Sequence, residues 1–313
     1  MNYYFLFLSA LLSSSISFGQ KAIDNQLTAE HQLTAGTKVS IIPPDGFNEA
    51  ANFSGYQQEE SGSSIMIIEM PASFSLIESS FTEEGLLAQG IEMNSKKELT
   101  INNYRAIYIT GEQNARGNSY VKNILVFGDD QKTVILNAAS PTNLNEISKA
   151  IKEALLTMVY QEDLDTDPLE AVSFEIDTDT NEFRFASSLV NSLMYTHDGI
   201  IPTKSEDRAN LMVAMSVSEV EVEDKKLYSI NRVKGLPMEI DEFESIEEVT
   251  IDGISGYELI TTGKSMVTDL VTKIYVVILY SDDVYYLAYG SCISDFDANI
   301  EIFKRTIKTF RRK

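Results

Sequence analysis

Apolar residues recur along this chain in short runs that suit strands, separated by stretches where they fall three or four apart, as on one face of a helix. The run "KVSII" at 38–42 stops at Pro43-Pro44-Asp45-Gly46, and "SSIMIIEM" at 63–70 stops at Pro71, because proline fixes φ and removes a donor. Leu76, Phe81, Leu86 and Leu87 then lie at roughly helical spacing with Glu83 and Glu84 on the other side, which predicts one helix over 75–91. Four strand-like runs follow: "ELTIN", "RAIYITGE", "SYVKNILVF" and "KTVILNAA". Asn102-Asn103 parts the first two and Gly128-Asp129-Asp130 the last two, at hairpin lengths, so an antiparallel meander is expected. Asn143 stands where it would cap a closing helix striped by Leu144, Ile147, Ile151, Leu155 and Met158.

The same order returns about 150 residues later. "EVTID", "GYELITTG", "VTKIYVVILY" and "VYYLAYG" read as four strands, with Asp252-Gly253 and Ser281-Asp282-Asp283 at the matching turns. Ile300, Phe303, Ile307 and Phe310 stripe a last helix, in which Phe303 and Phe310 fall 152 positions after Ile151 and Met158. "DKKLYSINRVKGL" stands where the first half has its early helix. A register held through strands, turns and helix points to tandem duplication. The expected organisation is a leader at 21–35, a first domain at 36–160, an acidic linker at 161–167 and a second domain at 168–313.

Residues 1–20, "MNYYFLFLSALLSSSISFGQ", carry no charge and run apolar from Tyr3 to Leu12 before turning small and polar, which reads as a secretory signal peptide cleaved between Phe18 and Lys21. Export, secreted or periplasmic, is the expected localisation. No later stretch approaches eighteen apolar residues, so no membrane span is expected in the mature chain. A single cysteine, Cys292, leaves no disulfide within one chain, and stability must come from packing. The formal net charge is -22; residues 36–161 carry 9 Lys and Arg against 15 Asp and Glu, and residues 162–313 carry 15 against 30. Such a surface repels phosphate backbones and anionic head groups, which excludes nucleic acid as a partner.

"VSIIPPDGF", the helix ending in Gly90, "LTINNYRAIYITGE" and the closing amphipathic helix resemble the PsbP and Mog-type family, with its DcrB-like bacterial envelope members. The second copy, through "YTHDG" and "VTIDGISGYEL", is similar to the same fold with a longer middle, so that the resemblance spans nearly all of 36–312. It implies an α+β protein of two tandem α/β/α sandwich domains, each an antiparallel sheet flanked by helices. It also implies non-catalytic work, as photosystem accessory, Ran-GTPase binder or envelope protein, and lends no catalytic motif to carry over.

Chemistry of the usual kinds does not assemble in the sequence. The only histidines are His31, in the leader, and His197 beside Asp198, which reads as a strand-ending turn and gives no ligand pair for zinc. Gly263-Lys264-Ser265 resembles the end of a phosphate loop, but Glu258 stands where the first Gly belongs and a strand follows. Asp163, Asp165 and Asp167 begin like a calcium loop, with Pro168 and Phe174 at the positions of the required Gly and Glu; Asp177, Asp179 and Asn181 fail likewise at Glu182 and Ser188. Cys292 lacks a basic neighbour to lower its pKa, and Tyr285, Tyr286 and Tyr289 suit a half-buried strand as well as a binding platform. No catalytic, cofactor or metal residue is assigned. The expectation is a non-catalytic binding or envelope accessory protein whose partner is an unknown protein or small ligand. Its rivals are a hydrolase with a site between the two domains and a small-ligand or calcium-binding module.

Overall fold

Asn102 and Asn103 both adopt positive φ, at 46° and 68°, and close a two-residue turn that pairs the strands on either side of it. The computed structural model describes residues 21–313 apart from 116, 180, 218–221, 241 and 283. The expected signal peptide lies outside the described residues. The first half opens with β1 (Lys21–Ile23), β2 (Gln32–Leu33), β3 (Val39–Ile41), β4 (Asn48–Glu49), β5 (Gly55–Gln58) and β6 (Ser63–Met70). Two short helices, α1 (Phe74–Glu78) and α2 (Glu83–Leu87), lead to β7 (Ile91–Ile101), β8 (Tyr104–Ala115), β9 (Asn118–Gly128) and β10 (Thr133–Pro141). Helix α3 (Asn145–Leu155) and β11 (Val159–Tyr160) close it. The main sheet runs β1-β7-β8-β9-β10-β6-β5-β4, antiparallel except for the β1–β7 pair.

The second half begins with β12 (Phe174–Glu175), β13 (Arg184–Leu189), β14 (Ser192–Thr196) and β15 (Asn210–Met215), then α4 (Lys225–Lys234). It continues through β16 (Met238–Glu239), β17 (Phe243–Ile251), β18 (Ile254–Ser265), β19 (Val271–Ser281) and β20 (Val284–Cys292) to α5 (Phe296–Ile307) and β21 (Arg311–Arg312). Its sheet runs β13-β14-β15-β20-β19-β18-β16 with β17 also on β18. Asp252 (φ 51°) and Gly253 (φ 73°) make the turn that Asn102-Asn103 make in the first half. Each closing helix seats its apolar stripe on one face of its sheet: Ile151 and Leu155, with Met158 just past the helix, join one core, and Ile300, Phe303 and Ile307, with Phe310 just past theirs, the other.

The expected α/β/α sandwich is not what forms. Among the described residues strand takes 46% and helix 17%, and the large antiparallel sheets dominate, with helices too few and short to flank them. One reason is visible at 75–91, where a single helix is expected. Ser79 and Ser80 donate their hydroxyls back to Leu76 O and Ile77 O (2.6 and 2.7 Å), competing with the next helical turn, and Thr82 Oγ1 accepts the Gly85 N–H at 3.0 Å to start a second helix. Leu76 and Leu87 consequently face solvent, at 65% and 61% exposure, while Leu86 is buried. At the closing helix Asn143 does not cap: Leu144 holds that position, with no side-chain cap hydrogen bond.

Residues 21–35 are built into the first half. β1 extends its sheet, Asn25 Nδ2 donates to Leu156 O and Met158 O, and His31 Nε2 bonds Thr157 O at 2.9 Å. The start of the acidic stretch is also tied down, since Lys132 Nζ lies 2.6 Å from Glu162 Oε1. No helix among the described residues is long and apolar enough to cross a membrane.

Candidate functional site

Alternation along β15 sends Leu211, Val213 and Met215 into the core under α5 and turns Asn210, Met212 and Ala214 to the opposite face. β14 does the same, burying Leu193 and Tyr195 and turning Met194 outward. Register then aligns four side chains across four strands: Met194 is opposite Met212, Met212 opposite Tyr289, and Tyr289 opposite Val276. Helix α4 covers only the far part of this face. It packs on β18 and β19, with Val233 buried against Leu259, Ile274 and Val276. Between α4 and the strands beside it lies an apolar trough of about 480 Å³, with Met194, Met212, Leu287 and Tyr289 along the sheet side and Arg232 and Leu236 on the helix side. That volume suits a small organic ligand.

A second cavity of about 280 Å³ adjoins the trough, sharing Asn210, Leu236 and Tyr289 with it. Its remaining walls are more polar and include Arg208, Ser265, Thr268, Thr272 and Ser291. Asn210 Nδ2 donates to Ser291 Oγ at 3.0 Å and so fixes the boundary between the two spaces. Burial lifts the Tyr289 hydroxyl above its ordinary value, against a hydrogen bond with Ser291 that lowers it, so the ring reaches the trough as a neutral phenol.

Several of the residues singled out in the sequence have structural partners. Asp198 is drawn down to about 2 by the Lys204 N–H and by hydrogen bonds from Thr203, Thr196 and Ile200, and it organises the turn after β14. Asp177 is paired with Arg311 at 2.9 Å, Asp167 accepts the Leu169 N–H, and Lys264 pairs with Asp269 at 2.9 Å. No group of three or more His, Cys, Asp or Glu able to hold a metal occurs among the described residues. Tyr285 and Tyr286 are buried in opposite cores, and of the three tyrosines Tyr289 reaches the trough.

Sequence reading missed the surroundings of His197 and Cys292. His197 packs against Phe183 with the two rings tilted and bonds Glu182 O through Nδ1, while Nε2 faces Asp207 Oδ2 at 3.0 Å and Asn299 Oδ1 at 3.2 Å. Asn299 Nδ2 in turn donates to Asp207 Oδ2 at 2.9 Å. Nothing local announces Asp207 or Asn299, which reach His197 only through folding. Cys292 sits in the same neighbourhood at 1% exposure; burial, with the Asp207 charge nearby, pushes its thiol up to about 12. Such a thiol holds its proton at physiological pH and is a poor nucleophile. A crevice between the halves, lined by Asn52, Val172, Ser173, Asn191 and Met215 among others, has an accessible volume of about 0 Å³.

No family model matches the chain, and no curated protein matches it. Among solved structures, a crystal structure from Bacteroides thetaiotaomicron is 12% identical with a TM-score of 0.29, over 49% of this chain and 54% of that one. The immunity protein TplEi of a Pseudomonas aeruginosa T6SS is 9% identical, TM-score 0.32, over 90% of this chain and 97% of that one. The Tle4–Tli4 complex is similar at 9% identity and a TM-score of 0.35, over 92% of this chain and 99% of the matched one. At these TM-scores the chains do not superimpose closely enough to carry a role from one to another.

Proposed function

We propose that this is an exported, non-catalytic binding protein, and that the trough between α4 and strands β14 and β15 is where it holds a small apolar or amphipathic ligand. One observation carries the reading. The row Met194–Met212–Tyr289–Val276 sets apolar side chains across four strands, and α4 leaves an open, largely apolar space above it. Apolar surface left outside the core at Met194 and Met212, in a chain of net charge -22, is a recognition feature, because solubility alone would favour charge there. The His197–Asp207–Asn299 cluster serves the fold in this account: it ties the turn after β14 to α5 beside a buried, protonated thiol.

The test is binding of the uncharged dye N-phenyl-1-naphthylamine, read by its fluorescence. The protein is expected to brighten the dye, and Met212→Lys, at a half-buried position where a lysine stem reaches solvent, is expected to abolish the gain while leaving the far-ultraviolet circular dichroism unchanged. Equal brightening by protein and variant would place the apolar site elsewhere.

A further inference from the structure

The trough and its neighbour differ in chemistry and lie side by side, with Asn210, Leu236 and Tyr289 in the walls of both. We infer that the ligand is a single-chain amphiphile with an anionic head, its hydrocarbon chain lying over Met194, Met212 and Leu287 and its head beside Arg208; this rests on the trough being the binding site. The shared residues Asn210, Leu236 and Tyr289 mark where chain gives way to head. On one side stand thioether and aliphatic groups. On the other, beside Pro237, Met238, Leu270 and Ile293, stand Ser265, Thr268 and Thr272 and the Arg208 guanidinium, the fork that matches a carboxylate or phosphate.

Charge placement selects the anion. In a protein with 47 Asp and Glu against 25 Lys and Arg, neither cavity is lined by a single described acidic residue. Arg305, Arg311 and Arg312 are spent on Glu182, Asp177 and Asp252. Arg208 and Arg232 line the two cavities, and neither forms an ion pair with a carboxylate among the described residues. A cationic amphiphile would meet like charge at both, and a neutral one would leave both guanidinium groups unused.

Carboxylate and phosphate heads share this chemistry, so the experiment compares sources. Titrations at low salt would use decanoate, decanol and decyltrimethylammonium below their micellar concentrations, with a lysophosphatidylglycerol as the phosphate source. Decanoate is expected to bind about tenfold more tightly than decanol, with decyltrimethylammonium weakest. Arg208→Gln should bring decanoate down to the level of decanol without changing decanol, and added salt should shrink the difference. Tight binding of the lysophospholipid with weak decanoate binding would keep the anionic amphiphile and assign the phosphate head. If decanol and decanoate bind alike and Arg208→Gln is silent, or if the cation binds best, the head-group assignment is overturned while the trough stands. If Met212→Lys binds decanol as the unaltered protein does, the trough itself is not the site.

Discussion

Met66 on β6 and Met212 on β15 stand at the same point of the same sheet path, and what surrounds them differs. Across the strands the first row reads Gly55, Met66, Asn137, Ile124, and the second reads Met194, Met212, Tyr289, Val276. A methionine for a glycine and a tyrosine for an asparagine convert an interrupted row into a continuous floor. The first half cannot make the first exchange: Gly55 has φ 145°, and a Cβ there would lie 1.9 Å from Ile65 O. Asn137 Oδ1 is buried without a hydrogen-bond partner, so that position also presents no apolar surface. The covers differ as well. α1 and α2 plant Phe74 and Leu86 on Ile107, Ile109 and Val126, whereas the single helix α4 sits over β18 and β19 and stops short of β14 and β15. A duplicated sheet can thus keep its register while row composition and helix placement decide which copy has a site.

On the opposite faces the halves balance volume in different ways, and this gives the largest expected effects. Where the first half has Ala138 beneath Ile151, the second has Gly290 beneath Phe303, whose ring stacks on Tyr275 at 6.0 Å. Phe303 is fully buried, so Phe303→Ala should remove about 3 to 5 kcal/mol from the second half. Hydrogen exchange should show faster opening of β19 and β20 with β8 to β10 unchanged; equal loss in both halves would mean one shared cooperative core. Gly290→Ala is next, at about 1 to 3 kcal/mol, because the new methyl would lie 2.7 Å from Phe303 Cδ2. In a Phe303→Leu background, closer to the first half, the same alanine should be about 1 kcal/mol less harmful by urea denaturation, and additivity would refute the pairing.

Smaller effects separate the halves by pH and by turn. Burial alone would raise the Asp207 carboxyl, but hydrogen bonds from Asn299, the Ala209 N–H and Ser205, with His197 beside it, hold it below its ordinary value. A carboxyl lowered by folding contributes stability above its unfolded value near 4, and that contribution is lost as pH falls through the folded value. Asp207→Asn should therefore lower neutral-pH stability by about 1 kcal/mol and flatten the loss of melting temperature on acidification from about pH 5 to about pH 3. An unchanged acid slope would remove Asp207 from that role. The smallest effect is expected at Asn103, φ 68°, where the second half has glycine. Asn103→Gly should stabilise the first half by about 0.5 kcal/mol, whereas Asn102, which accepts the Asn25 N–H through Oδ1, should not tolerate the exchange.

What was legible in the sequence was local. The Asn102-Asn103 and Asp252-Gly253 turns, the long strands they join and the closing stripe at Ile300, Phe303 and Ile307 follow from spacing and turn chemistry within a few residues. The break between α1 and α2 was less so, because the hydroxyls of Ser79 and Ser80 compete with the helix although the apolar spacing continues. The sandwich failed as an expectation because a helical stripe shows that a helix has a buried face but not how much of a sheet it covers. The trough was illegible for the same reason. Met194, Met212, Tyr289 and Val276 are scattered over 96 positions and meet only through the register of β14, β15, β20 and β19. The sequence around His197 shows only a turn, because its partner Asn299 lies 102 positions away.

Methionine-methyl NMR tests the central claim most directly, since the matched rows each carry a reporter. On titration with decanoate the methyl signals of Met194 and Met212 should move together and saturate, while that of Met66, at the matching point of the first sheet, stays in place. Movement of Met66 to the same extent, or saturable binding that leaves Met194 and Met212 unmoved, would contradict the assignment of the site to the second half.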